Sequence, residues 1–311
     1  MLKSIAKILL KFIIILFCVS FISFLLSYLA PGDPAEAILN QEGVPVTQEL
    51  LDLTREKLGL NDPFLTQYFR WLSKIVVFDF GVTYNTGAPV WDQLIFYFPN
   101  TLYLSMYILL ATLLLSIPTA LVMAYKKDSL FDRTLMSLLG ILNAIPTFIF
   151  GIILILIFSV HLKWFPVQST ANSLGIVLPV VTLALAMSSV YTPQLRTAFL
   201  EELNMPFVEG ARGRGISEWR IIIFDVLKNT VPFIITLVSL SLGALVSGVT
   251  IIEHLYSWPG MGKLLVTVVA NQDYPIIQGT VLFVTVGVLT VNLVSQVLIA
   301  WINPKIRLGN K

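Results

Sequence analysis

Six stretches of this chain contain no Asp, Glu, Lys or Arg, and each is long enough to cross a bilayer. They cover 12–32, 93–125, 134–162, 164–195, 229–252 and 274–304. A hydrocarbon core of roughly 30 Å takes about 20 helical residues, so each stretch holds one spanning helix. No other gap between charges reaches that length. Every one of the 20 basic and 18 acidic side chains falls at or beyond a span end. With 12% charged residues and a mean hydropathy of +0.84, the chain lies well below the roughly 25% charged of soluble domains. The expected fold class is an all-α integral membrane protein with six transmembrane helices, the later ones near 102–124, 138–160, 174–192, 231–251 and 279–302.

The net charge of +2 says little, but its placement orients the chain. With the N-terminus inside, 14 basic residues fall on inner segments, among them Lys3, Lys7, Lys11, Lys126, Lys127, Arg133, Arg196, Arg212, Arg214, Arg220 and Lys228. The outer segments hold six, of which four lie in the long loop 31–100, whose length lets it cross regardless of charge. The positive-inside rule then places both termini in the cytoplasm. The apolar run near the N-terminus is longer than a signal-peptide core, and Ser27 and Ala30 only loosely imitate a cleavage site, so residues 1–30 read as a retained first helix. The lone Cys18 cannot form an intrachain disulfide and reads as packing.

Domain bounds follow. Residues 1–30 form the first span and 31–100 an ordered outer domain. Residues 101–303 form a five-helix core containing the inner loop 193–230, and 304–311 a tail. Within the outer domain, 47–58 predicts a short helix with Thr47 as cap, Glu49 and Asp52 early, Arg55 and Lys57 late, and Gly59 as its stop. A second amphipathic stretch follows Pro63, and Asp79-Phe80-Gly81 predicts a turn. Pro118, Pro146, Pro179 and the pair Gly243 and Ser247 mark places where spans bend or approach closely.

Several function classes lose support. No ionisable residue lies mid-span, where coupled carriers keep one to bind and release their ion. Voltage-sensing arginines and the TVGYG filter are missing. Gly260-Met261-Gly262-Lys263 lacks phosphate-loop spacing. His161 and His254 lie at span ends with no metal motif or nucleophile beside them, and His254 beside Glu253 reads as a boundary polar residue. A multi-span transporter without its own energy source needs a partner to drive it. The inner loop is where one could push. It predicts a short helix before Pro206, another from Phe207, a break at Gly213 and Gly215, and a further helix capped by Ser217 with Glu218 in its first turn. On these grounds alone it could equally be a solvated loop that supplies inner positive charge.

Here the residues resemble a known pattern. Glu209-Gly210-Ala211, then three residues, then Gly215 is similar to the EAA loop of permease subunits in bacterial ABC importers. Arg212, Arg214, Ser217, Arg220 and Asn229 resemble its peptide/nickel branch. So do Ala30-Pro31-Gly32-Asp33-Pro34, Leu58 to Pro63, Gln67-Tyr68, Trp71-Leu72, Asp79-Phe80-Gly81 and Pro99 to Leu102. Glu253, Trp258-Pro259-Gly260-Met261-Gly262, Asp273-Tyr274-Pro275 and Asn303-Pro304-Lys305-Ile306-Arg307 complete the series in order. Two residues depart from it: Gly210 stands where the pattern has Ala, and Pro232 lies one residue closer to Gly215 than the branch leads one to expect.

The resemblance implies a type I ABC importer permease in a bacterial inner membrane, paired with a second, similar permease subunit and two ATPase subunits. An extracytoplasmic substrate-binding protein would deliver cargo; nucleic acid has no place in the assembly. ATP and Mg²⁺ would be used by the ATPases, and no cofactor would be held by this chain. Glu209, Gly210, Ala211, Arg212, Gly215, Ser217, Glu218 and Arg220 would form the coupling loop, with Gly215 allowing the tight turn, Glu209 holding the hairpin and the helix start at Ser217 touching the ATPase. Glu253, Trp258, Pro259, Gly260 and Asp273 would mark an outer lid or a dock for the binding protein; a purely structural re-entrant hairpin fits these residues equally. The branch carries peptides, nickel and metal chelates. Asp79 preceded by Val77-Phe78 rather than Gly, and the spacing of 45–72, lean toward the nickel type. Two rivals stand beside this: a self-sufficient carrier or channel, and a membrane scaffold or enzyme without transport.

Overall fold

The computed structural model describes residues 2–30, 32–41 and 43–302. Pro31 and Asn303 to Lys311, which carry part of the expected motifs, lie outside the described residues, as do the side chains of Lys3, Lys7 and Ser247. Among the described residues the chain is helical; Val82 and Pro89 form an isolated antiparallel bridge. The helices are α1 (Leu2–Leu29), α2 (Pro34–Gln41), α3 (Gln48–Leu58), α4 (Phe64–Val76), α5 (Val90–Tyr125), α6 (Leu130–Ala144), α7 (Thr147–Leu154), α8 (Val177–Leu203), α9 (Pro206–Gly213), α10 (Glu218–Arg220), α11 (Leu227–Gly248), α12 (Thr250–Leu255), α13 (Met261–Ala270) and α14 (Tyr274–Ile302). A π-helical turn, Ile155–His161, continues α7, and another, Ile221–Val226, joins α10 to α11.

Five segments are long and apolar enough to span a membrane: Leu10–Leu29, Val90–Tyr125, Ser173–Leu203, Glu218–Leu245 and Tyr274–Val294. A sixth arises if α6 and α7 are taken together, but they meet at 100°. The sequence predicted one helix near 138–160; the break falls at Ile145-Pro146. Pro146 has no N–H to donate and pushes the residue before it out of helical space, and Ile145 is accordingly extended, with φ −83° and ψ 125°. Pro193 acts in the opposite way. The span expected to stop at 192 runs through it to Leu203, so the first part of the predicted inner loop is helix. Proline is tolerated inside a spanning helix where neighbours re-satisfy the backbone.

The chain divides into two compact units. One comprises residues 1–101 and 259–289, the other 102–258 and 290–311. In the first, Val90, Leu94, Met261, Leu264, Val268 and Ile276 form a core to which α5, α13 and α14 contribute. A smaller core of Ala35, Leu39 and Leu51 joins α2 to α3. The predicted helix over 47–58 forms as α3: the Leu50 N–H donates to Thr47 Oγ1 at 3.4 Å, and Gly59 takes the left-handed φ of 66° that ends it. Asp33 accepts from Arg55 at 2.6 Å and so pins the α2 start to α3.

In the second unit, Leu104, Ile108, Leu154, Leu178, Leu245, Val249, Ile252 and Tyr256 form one core. Ala120, Ala124, Leu195, Phe199, Val208, Ala211, Ile221, Val226 and Ile234 form another. Tyr256 joins three helices. Its hydroxyl donates to Gly151 O at 3.1 Å and shares a hydrogen bond with Thr182 Oγ1 at 2.7 Å. A buried tyrosine hydroxyl needs such partners.

Candidate functional site

The segment after α8 folds as a helical hairpin. Pro206 opens α9, where its missing N–H costs nothing, and Gly215, at φ +75°, turns the chain. That left-handed conformation is the one position in this segment where glycine is required. Val208 and Ala211 point inward, onto Leu195 and Phe199 of α8 and onto Ile221 and Val226. Between these anchors Glu209, Gly210, Arg212, Arg214, Gly215, Ser217 and Arg220 are exposed. Two buried side chains therefore hold the hairpin down while its polar residues face away.

Across the turn, Arg212 Nε donates to Glu218 Oε1 at 2.7 Å and Nη2 to Oε2 at 3.2 Å. The two-pronged geometry suits a guanidinium and a carboxylate. The bond to Glu218 raises the Arg212 pKa above its ordinary value. The expected polar tie from Glu209 differs: among the described residues its carboxylate has no hydrogen-bond or ion-pair partner, and the tie is made by Arg212 and Glu218 instead. Ser217 stands at the cap position with extended backbone, φ −65° and ψ 143°, but its hydroxyl makes no capping bond; its carbonyl accepts from the N–H groups of Arg220 and Ile221 at 3.0 and 3.1 Å. Gly210 stays helical inside α9, and a Cβ built there would meet only Arg214 Nη1 at 3.6 Å. An Ala would fit there, and with Gly in its place α9 still runs through to Gly213.

Of the other expected group, Glu253 and Trp258 belong to the second unit and Pro259, Gly260 and Asp273 to the first. In the second unit, Glu253 on α12 is fully buried and its carbonyl accepts from the Trp258 N–H at 2.8 Å. In the first, Gly260 caps α13, the apolar run predicted over 264–270, and the next N–H, of Met261, donates to Thr101 Oγ1 at 2.8 Å. Asp273 is buried, and its two carboxylate oxygens accept from the N–H groups of Tyr84 and Asn85 at 3.0 and 3.1 Å. It thereby fixes loop 82–89. Burial, followed by the charge of Asp273, pushes the Tyr84 phenol up to about 12. Asp273 thus acts on a loop of its own unit, a role that sequence spacing did not suggest.

Sequence reading also missed a buried ion pair in the second unit. Asp132 at the start of α6 accepts from Arg196 of α8 through both oxygens, at 2.7 and 2.5 Å. The Asp132 side chain is 3% exposed and that of Arg196 15%. Ser129 caps the same helix by accepting from the Asp132 N–H, and Asp132 also accepts from the Asp128 N–H at 2.9 Å. The sequence had placed Arg196 only among the inner positive charges; nothing in the spacing joins residues 64 apart. Among the described residues no group of three His, Cys, Asp or Glu side chains converges in a way that could hold a metal ion.

Residues 116–308 match the family described as the binding-protein-dependent transport system inner membrane component, and residues 1–105 match the N-terminal part of such membrane components. The nickel import system permease protein NikB of Staphylococcus aureus (strain bovine RF122 / ET3-1) is 35% identical over 310 residues, covering 99% of this chain and 93% of that protein. The metal-staphylopine import system permease protein CntB of S. aureus (strain Mu50 / ATCC 700699) is 34% identical over 292 residues, 94% of each chain. Among solved structures, a chain of the inward-facing MetNI methionine ABC transporter aligns with a TM-score of 0.58 at 15% identity, over 68% of this chain and 96% of its own. That likeness concerns the fold, a type I importer permease. Matched over most of its length by the family and nearly end to end by these relatives, the chain belongs to the binding-protein-dependent transport system inner membrane components, as a multi-pass permease subunit of an ABC importer in the bacterial cell membrane and not an enzyme.

Proposed function

We propose that this permease subunit forms half of a translocation path for nickel or a nickel or metal chelate, and that the hairpin Glu209–Arg220 docks on an ATPase subunit. The observation that carries the second part is the division of labour in the hairpin. Val208 and Ala211 are buried against α8 and Ile221, while Glu209, Arg212, Arg214 and Arg220 face outward. A push on its exposed face reaches the long helices α8 and α11 through packed side chains, which deform little. The skew of basic residues supports a cytoplasmic position for this hairpin and for both termini.

The cargo is supported by what the relatives are named for: nickel for NikB, a metal–staphylopine for CntB. Di- or oligopeptides are the broader option for this branch. The full machine would comprise this chain, a second similar permease subunit, two ATPases that use ATP and Mg²⁺, and an external substrate-binding protein. This chain would bind no cofactor of its own. Glu253, Trp258, Pro259, Gly260 and Asp273 would serve as a lid over the path or as the dock for the binding protein. The hold of Asp273 on loop 82–89 supports a preformed surface there.

Gly215→Glu tests the coupling role. A Cβ at this position would meet nothing within 4 Å, so the new side chain is not blocked from inside the chain. Its costs are about 1–2 kcal/mol of left-handed backbone strain and a carboxylate at the proposed contact. Uptake and substrate-stimulated ATP hydrolysis by the full complex should fall while membrane levels persist. Gly215→Ala, with the strain alone, should fall less. Unchanged uptake in the Glu variant would remove the coupling role.

A further inference from the structure

The amphipathic helix α4 sits beside the first membrane span, not above it. Candidate span Leu10–Leu29 belongs to α1. The Tyr68 ring lies 6.2 Å from Phe17, 5.3 Å from Phe21 and 5.6 Å from Phe24. Phe64 packs on Phe21, Phe24 and Tyr28, and Trp71 on Phe24. Tyr68 is fully buried, and its hydroxyl shares a hydrogen bond of 2.9 Å with Ser20, itself 2% exposed. Ser20 is nine residues from Leu29, roughly 14 Å at about 1.5 Å per residue. The contact therefore falls near the middle of the span. A hydroxyl at that depth must find an internal partner; Ser20 Oγ donates to Phe17 O at 2.8 Å, and the Tyr68 hydroxyl finds its partner in Ser20.

Among the described residues α4 has a second apolar face that the chain leaves largely uncovered, apart from the Tyr68 ring 5.3 Å from Phe69. Leu65, Phe69 and Val76 are 56%, 56% and 71% exposed. At about 100° per residue they fall within roughly 40° of one another on a helical wheel. Phe64, Tyr68 and Trp71 occupy the adjoining arc, Arg70 and Lys74 lie on the far side, and Thr66 and Ser73 fall between, Ser73 about 40° from Phe69. Beyond the helix end Val77 and Phe78 are each 71% exposed, with Phe78 at φ 61°. On α1 the side chains of Ile22, Leu26 and Leu29 are exposed in the same way. Solvent would penalise such a surface, whereas a bilayer favours it.

We propose that α4 is a membrane-inserted helix whose Leu65–Phe69–Val76 face, with the Val77-Phe78 tip, is covered by lipid acyl chains. Its polar side, centred on Arg70 and Lys74, turns away from the acyl chains, and both long side chains reach toward water. Residues 64–78 then belong to the membrane region of the chain and not to a water-borne outer domain.

The test uses the complete transporter, co-expressed with its partner subunits and reconstituted in phosphatidylcholine liposomes. Spin labels are placed singly at Phe69, Val76 and Lys74 by Cys substitution in a Cys18→Ser background. Collisions with dissolved oxygen should exceed those with chromium oxalate several-fold at 69 and 76, with the order reversed at 74. Strong chromium oxalate access at 69 and 76 would put that face in water and overturn the proposal. Poor access to both reagents would put a protein surface there and overturn it equally. Because a labelled variant can fail to assemble, the wild-type complex is also irradiated with diazirine-bearing phospholipid. Adducts are expected on the peptide spanning Phe64–Phe78, and their absence there, with adducts on α1, would again reject it.

Discussion

A residue matters in this chain less for its own chemistry than for what it leaves unpaired if removed. The Asp132–Arg196 pair is the clearest case. Burying two charges costs as much as their attraction returns, but deleting one strands the other, at about 3–5 kcal/mol. The two ends are not equivalent. Arg196→Ala leaves the Asp132 carboxylate, 3% exposed, with the Asp128 N–H as its remaining partner. Asp132→Ala leaves a guanidinium that is 15% exposed on a long side chain able to reach water. Thermal unfolding of the detergent-solubilised protein should show Arg196→Ala as the more damaging change. The double variant should lose less than the two single losses added, because each single change also creates an unpaired charge. Additive losses would mean that the pair does not act as a unit. Arg212 and Glu218 make the same kind of bond in a half-exposed setting, where a pair contributes at most about 1 kcal/mol, so their removal should be nearly silent in the same assay.

The elements divide sharply into those legible in sequence and those not. Helix α3 was legible to within a residue because cap, charges and Gly59 all favour the same bounds. The hairpin turn at Gly215 was legible for the same reason: glycine has a conformational freedom that no other residue there shares. Proline proved a poor guide. Pro146 breaks a span at 100° and Pro193 does not interrupt α8 at all, because the outcome depends on whether neighbours supply the lost hydrogen bond, which lies outside the local sequence. The candidate site was partly legible for a related reason. Gly215, Arg212 and Glu218 lie close together in the chain and were all named, although the polar tie was expected from Glu209 and is made by Arg212 and Glu218; Asp132 with Arg196 and Asp273 with loop 82–89 depend on tertiary placement. The junction of α7, α8 and α12 shows the cost of misreading such placement. A Cβ on Gly151 would lie 2.8 Å from Leu255 Cδ2 and 3.4 Å from Thr182 Cγ2, with the Tyr256 hydroxyl at 3.5 Å. An Ala needs only a shift of the Leu255 tip. Gly151→Val adds branched bulk against all three, and overpacking of this kind costs about 1–3 kcal/mol. Gly151→Val should therefore lower the unfolding temperature of the purified protein well beyond Gly151→Ala. Equal values for the two would show that the helices part at no cost.

For the whole molecule the question is what drives transport, and the buried carboxylates bear on it. An ion-coupled carrier needs a protonatable or ion-binding group that is free to load and unload. Among the described residues three acidic side chains are buried: Asp132, Glu253 and Asp273. Asp132 is held by Arg196, and Asp273 by two backbone N–H groups. Glu253 is not free within the fold either. A carboxylate already held by such partners is not free to load and unload an ion. This fits a permease subunit worked by others. Proteoliposomes containing this chain alone should take up no nickel or nickel chelate under an imposed proton or sodium gradient. Adding the second permease subunit, the ATPases with ATP and Mg²⁺, and the loaded binding protein should restore uptake, and a non-hydrolysable nucleotide should abolish it. Gradient-driven uptake by the single chain would identify a self-sufficient carrier.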